Sequence, residues 1–349
     1  MPPKEKLVAV GRICVLKLAR ALGLFALARK ATANRLRILC YHGISLKDEH
    51  LFRAGLFMTA ATFDRRMRHL ADKGYPVLGL EEALTDLKGN RLPKCATVIT
   101  IDDGWFGTYS VMGPVLKRFG FPATLYVSTY YMEKGTQVFN VALRYIFWAT
   151  DLPSIDLSRI SPDVPGTFVL ADKERRAEAE RLILGIAERA SGAVARQVLL
   201  RQICETLAVD WHTLETNRML AFMAPGEARE LAESGIDIQL HTHRHRFPSA
   251  SEELTSEIQE NRKSLAEVTT RTLSHLCYPS GEYSPAAFPR LSQLGIDSAT
   301  TTRRGMNTRD TPLLELRRLL DSDATPDIVF EAEMSGFLEL CRRALKRSA

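Results

Sequence analysis

The sequence predicts an α/β fold: a distorted (β/α) barrel of about seven parallel strands carrying a helical insertion. Three observations predict it. From residue 36 onward, apolar strand-like runs alternate with amphipathic helix-like runs. Strands alternating with helices of ~12 residues imply a parallel sheet with right-handed crossovers. Three short motifs, ITIDDGW at 99–105, LHTHRH at 240–245 and CYPSG at 277–281, all begin where a strand-like run ends. In β/α barrels the functional residues collect at the C-terminal ends of the strands. A doubly wound open sheet follows the same rule and is the alternative. Finally, residues 131–225 break the rhythm with helix-like stretches such as KERRAEAERLILGIAERA.

The elements follow in order. LRILCY (36–41) reads as a strand, and 62–74 as a helix with Phe63, Met67 and Leu70 on one face and Gly74 as its stop. Residues 96–101 form a buried strand, 108–120 a helix and 123–128 another strand. After the insertion come helix 226–235, strand 236–240, helix 252–269, strand 273–277, helix 285–295 and strand 296–300. LLELRRLL (313–320) holds a last strand, and a helical tail follows.

A chain of 349 residues suits one large domain or two modest ones. The domain reading is a leader at 1–35 and a body at 36–349 interrupted by the insertion at 131–225. The six cysteines are scattered with no CxxC pair, which argues for a reducing compartment and against a disulfide framework. The net charge of +6 is uneven. Residues 1–37 hold nine Lys/Arg against one Glu, leaving 38 basic and 40 acidic residues in the rest. The body is therefore no nucleic-acid partner, whereas the leader suits an anionic membrane surface.

Within the leader, LVAVGRICVLKLARALGLFALARK (7–30) is apolar but punctuated by Arg12, Lys17 and Arg20. Its uncharged runs fall well short of the ~18–20 residues that span a bilayer. Three readings stand: a peripheral membrane-surface helix, a secretory signal peptide with ALGLFALA as its apolar region, and a plain packing helix. They correspond to a cytoplasmic chain peripheral at the inner membrane or a periplasmic or secreted one.

Asp102 and Asp103 are adjacent, so their side chains point in different directions; one can ligate a metal while the other faces a substrate. Gly104 permits a sharp turn beside them. A helix N-cap turn is the bland alternative. His241 and His245, four apart after a strand, can converge on one cation, with His243 pointing elsewhere. One carboxylate and two imidazoles are a common divalent-metal set, and a spare carboxylate beside them is a ready general base. CYPSG offers a turn whose backbone N–H can act as an oxyanion donor. His42, in YHG at a strand end, is by itself more often structural.

Together these motifs resemble the polysaccharide deacetylase family, with its NodB-type catalytic domain (carbohydrate esterase family 4). TIDDG at 100–104 is similar to that family's TFDDG motif, and His241, Thr242 and His245 match its H-[ST]-x-x-H motif. The resemblance covers about 36–130 and 226–320. It implies Asp102 as general base, and Asp103, His241 and His245 as ligands of a divalent metal, Zn²⁺. Two departures stand out. Cys277 and Ser280 occupy the Arg and Tyr positions of the Arg-x-Pro-Tyr motif, and no His follows His275 to serve as a late general acid. Both resemble the branch with an N-terminal YH motif and a YPxG third motif, as in biofilm poly-N-acetylglucosamine deacetylases, where the N-terminal His is the acid. That role would fall to His42. Ser280, Tyr278 and Arg318 are the expected substrate or oxyanion contacts.

The resemblance thus implies a hydrolase that removes N-acetyl groups from an amino-sugar polysaccharide or a lipid-linked oligosaccharide. The alternatives are a deacylase such as a deformylase of a lipid-linked sugar, and a non-catalytic glycan-binding module of the same fold. A scaffold role in polysaccharide export rests on the insertion alone.

Overall fold

The protein is seen here as a computed structural model describing residues 3–162, 164, 166–190 and 192–347. Seven parallel strands close into a barrel: β1 (Arg37–Tyr41), β2 (Thr97–Ile101), β3 (Thr124–Val127), β4 (Asp237–Leu240), β5 (His275–Cys277), β6 (Ser298–Arg304) and β7 (Leu316–Leu320). Each strand pairs with the next in chain order, and β7 returns to β1 through Leu39↔Leu319 and Cys40↔Leu320. The fold is thus the barrel rather than the open sheet.

β1, β2 and β3 are buried at every position. Strands covered on both faces show no polar alternation, which is why they read as continuous apolar runs. Alternate residues still separate into two sets. Ile38, Val98, Tyr126, Cys277 and Leu316 share one cluster with Leu80, Ala83, Leu84 and Leu87 of helix Leu80–Lys88, a helix the sequence reading did not assign. Leu39, Ile99, Ile101, Leu125, Ile238 and Leu276 face the other way, into the cluster formed with the surrounding helices.

Two expected helices differ in detail. Thr108–Met112 forms a π-helical turn before Gly113–Phe119. The expected 285–295 helix divides into a 3₁₀ turn at Pro285–Ala287 and a helix at Phe288–Gln293, with Pro289 in its first turn, where a missing N–H costs nothing.

Residues 131–225 are mainly helical and include Phe139–Ala149, Lys173–Arg189 and Gly192–Thr206. They also contain one small antiparallel pair, Ser154–Asp156 with Thr167–Val169. The segment has its own core, into which Phe57 and Trp105 from barrel loops insert.

The leader forms two helices, Pro3–Ala21 and Leu24–Ala31, broken at Gly23 where φ is 73°. Leu16, Ala19, Phe25 and Ala28 pack on Ile328 and Ala332 of helix Asp327–Met334. The opposite face leaves Val15, Leu18, Leu22 and Leu27 about 60% or more exposed. Among the described residues, no helix is long and apolar enough to cross a membrane.

Candidate active site

The period-two alternation of β2 continues past its end, so Asp102 lies on the same side as Val98 and Thr100. The chain then turns through left-handed backbone at Asp103 (φ 76°) and Gly104 (φ 102°). Aspartate and glycine are among the residues that tolerate this conformation best. The turn is tied down by bonds from Ser128 N to Asp103 O (3.1 Å) and from Met223 N to Gly104 O (2.9 Å). It returns the Asp103 carboxylate to the mouth of the barrel.

The histidine loop leaves β4 at His241, whose amide donates to Asn261 Oδ1 (2.9 Å). The loop is clamped by Glu257, which is fully buried and accepts from Arg244 N (2.7 Å) and Arg246 Nε (2.8 Å). His243 turns away, its Nδ1 against Thr129 Oγ1 at 2.8 Å. His241 Nδ1 lies 2.8 Å from the Cys277 carbonyl, which can only accept, so this nitrogen carries the proton. In the neutral ring, Nε2 then presents a lone pair.

That lone pair faces Asp103 Oδ1 at 3.2 Å, and His245 Nε2 faces the same oxygen at 3.2 Å. Acceptors brought together in this way suit a shared cation. Ligand bonds of ~2.1 Å in a tetrahedral shell place neighbouring donors ~3.4 Å apart, so the spacing fits Zn²⁺ or a similar ion. Trp105 Nε1 donates to the other oxygen, Asp103 Oδ2, at 2.7 Å and orients the carboxylate. Burial pushes the Asp103 carboxyl up, but hydrogen bonds with His241 and His245 more than reverse this and hold it well below the usual carboxylate range.

Asp102 sits beside this set in a different environment. Arg318 grips it through two bonds, Nη1 to Oδ1 at 2.7 Å and Nη2 to Oδ2 at 2.8 Å. The thiols of Cys40 and Cys277 lie 3.6 and 3.4 Å from Oδ2. His42 Nε2 is 3.6 Å from the same oxygen, and its side chain is 28% exposed. Burial again raises the carboxyl, but Arg318 and then His42 outweigh it, leaving Asp102 at about 2.

The expected substrate contacts are placed unequally. Ser280 (φ 57°) and Tyr278 line the same cavity as the aspartates. The Tyr278 hydroxyl donates to Leu314 O (3.0 Å), and its ring stacks on Tyr283. Arg318 lines the cavity as well, but with its donors already committed. Its Nε donates to Thr301 O (2.9 Å) and both Nη atoms go to Asp102, so its guanidinium holds a carboxylate rather than presenting donors to a substrate.

The cavity measures about 580 Å³ and is also lined by Arg53, Tyr131, Asn140, Arg144 and Phe222. Four of these come from the inserted segment. Sequence reasoning missed them because nothing in a helical pattern says which face borders a distant site. It also missed Trp105, although DDGW places it two residues beyond Asp103, and Asn261, which with Glu257 is one of two polar residues on the buried side of helix Ser251–Ala266.

A closed seven-stranded parallel barrel with two aspartates and two histidines at one mouth defines a NodB-type α/β barrel protein. Residues 190–299 match the family described as "Polysaccharide deacetylase". A 95-residue segment is 36% identical to YxkH of Bacillus subtilis (strain 168), a protein named as a polysaccharide deacetylase. That segment is 27% of this chain and 32% of that relative. The fold is similar to that of the Streptococcus pyogenes deacetylase PplD, solved in complex with acetate: TM-score 0.56, 18% identity, 88% of this chain and 98% of that one. IcaB of Ammonifex degensii gives a TM-score of 0.54 at 16% identity over 86% of this chain and 97% of the other. A de-N-acetylase of Aggregatibacter actinomycetemcomitans gives 0.53 at 15% identity over 86% and 99%. The fold is thus that of solved deacetylases, and the sequence likeness to the polysaccharide deacetylase family lies in residues 190–299 and in a segment about a third of the length of YxkH.

Proposed function

We propose that the chain is a metal-dependent hydrolase that removes the N-acetyl group from an amino-sugar glycan or glycan precursor. The observation that carries this reading is the placement of Asp103 Oδ1 3.2 Å from both His241 Nε2 and His245 Nε2, with a second aspartate beside it. Asp103, His241 and His245 would hold the cation, and zinc suits the donor set. When bound there, such an ion polarises an acyl carbonyl and lowers the pKa of a water.

The remaining work falls to side chains. Asp102, ionised at neutral pH, accepts the proton from the attacking water. His42, at the cavity wall and partly exposed, donates a proton to the departing amine, so that an amide and water give acetate and a free amino sugar. The backbone N–H at Ser280 supports the oxyanion. His42 at a strand end, together with the absence of any His after His275, supports the branch with an N-terminal acid. The test is acetate release from N-acetylglucosamine oligomers by metal-loaded protein, compared with formate release from N-formyl sugars.

The leader supports a location. Its exposed Val15, Leu18, Leu22 and Leu27 are accompanied by exposed Arg12, Lys17 and Lys30. An apolar strip with basic neighbours fits an anionic bilayer surface, where the leucines enter the headgroup boundary and the cations meet lipid phosphates. This favours a peripheral enzyme acting on a membrane-associated glycan precursor.

A further inference from the structure

We infer that the acyl-amino sugar taken by this site carries an anionic substituent, phosphoryl or carboxylate, recognised by Arg53 and Arg144. The inference rests on the proposed deacylase reading and names the substrate class of the same cavity.

The argument begins with the charges lining that cavity. Asp102 is neutralised by Arg318, and Asp103 is matched by the two imidazoles and the cation they would share. Two arginines remain. Arg53 follows the short helix Glu49–Phe52 and is exposed, and its side chain has no carboxylate or hydrogen-bond partner among the described residues. Arg144 is half exposed, and among the described residues its one carboxylate neighbour is Glu180 at 3.9 Å, beyond hydrogen-bonding distance.

Neither arginine is needed to hold the fold, yet local packing fixes the ground on which both stand. Phe52, adjacent to Arg53, packs edge-on against Tyr145, adjacent to Arg144, at 5.6 Å between ring centres. The Tyr145 hydroxyl bonds to Asp48 Oδ1 at 2.7 Å. Asn140 lies four residues before Arg144 on helix Phe139–Ala149 and lines the same cavity, adding a neutral donor and acceptor. The inserted segment and a barrel loop therefore place two uncommitted guanidinium groups beside the reacting centre. Guanidinium forks match the paired oxygens of carboxylate and phosphate. A neutral acetylhexosamine offers them no such partner.

The test is direct binding, measured by calorimetry on the full chain. The ligands are N-acetylglucosamine, N-acetylglucosamine 1-phosphate and N-acetylmuramic acid. At least one anionic sugar should bind about tenfold more tightly than the neutral one. The preference should shrink at high salt because partly exposed charges are screened. It should fall to about one in R53Q/R144Q and persist in R53K, which keeps the charge. Circular dichroism verifies that each variant is folded. The tighter of the two anionic ligands identifies the substituent. Absence of any anionic preference in the wild type, whether the three sugars bind alike or not at all, overturns the inference, as does a preference that survives in R53Q/R144Q. Acyl release is followed separately: anionic preference without release counts against the deacylase reading alone, and release without preference counts against the arginine subsite alone.

Discussion

Arg318 and Asp102 form a buried two-bond pair of 2.7 and 2.8 Å that joins β7 to the loop after β2. Both side chains are almost fully buried, so each is the other's main neutralising charge. Removing one partner from such a pair costs ~3–5 kcal/mol because a charge is left stranded. Arg318→Ala should lower unfolding free energy by about that amount in denaturant titrations. Arg318→Lys keeps the charge but loses the fork; it should fold and lose about a hundredfold in turnover. The sign with pH also follows. Asp102 lies at about 2 in the folded chain, below its ordinary 3.8, so the pair's stabilisation is complete above the ordinary value and fades as pH falls through about 2.

Asp103, His241 and His245 present acceptors to one another and should bind a divalent ion in the native state only. Zn²⁺ at a hundred times its dissociation constant should raise stability by about 2.7 kcal/mol, read as a higher Tm. Asp103→Asn, His241→Ala and His245→Ala should each abolish most of that gain. An equal metal-induced shift in all four proteins would place the ion elsewhere.

Gly281 has φ of +73°, and a Cβ there would lie 2.1 Å from Thr302 Oγ1. Gly281→Ala should therefore cost about 1–3 kcal/mol and move the Tyr278–Ser280 turn out of the cavity wall. Turnover should drop by about tenfold or more while metal content stays at the wild-type level.

The leader's outer face should bind anionic vesicles. If the leader docks on lipid as proposed, Leu18→Glu with Leu22→Glu should reduce co-sedimentation with phosphatidylglycerol vesicles by about tenfold or more, since each change places a charge on the strip that would enter the headgroup boundary. Raising the salt should weaken wild-type binding by screening Arg12, Lys17 and Lys30. Equal binding to neutral vesicles at all salt concentrations would contradict the basic contribution.

Much of the fold was legible because most of the strands are short and apolar and are followed by helices, although only a 3₁₀ turn at Leu313–Glu315 separates β6 from β7. Asp103, His241 and His245 were legible as a candidate cation set because each motif follows a strand-like run, and a parallel barrel gathers the C-terminal ends of its strands at one mouth. The partner of Asp102 was not. Arg318 lies in LELRRLL next to Arg317, and only the strand register decides that Arg318 points to the buried side while Arg317 is exposed. Cys277 occupies the expected arginine position, and the guanidinium arrives instead from β7, a change of origin that linear spacing cannot display. Arg53 and Arg144 were likewise invisible, because one follows a short helix and the other lies in an insertion whose orientation is set by its own core.

The central claim is that Asp102 works as the base beside a cation held by Asp103, His241 and His245. The most direct measurement pairs metal content with acetate release from N-acetylglucosamine oligomers in the wild type and Asp102→Asn. The account predicts about one metal per chain in both proteins, with acetate released by the wild type and abolished in Asp102→Asn. Undiminished release by Asp102→Asn would contradict it.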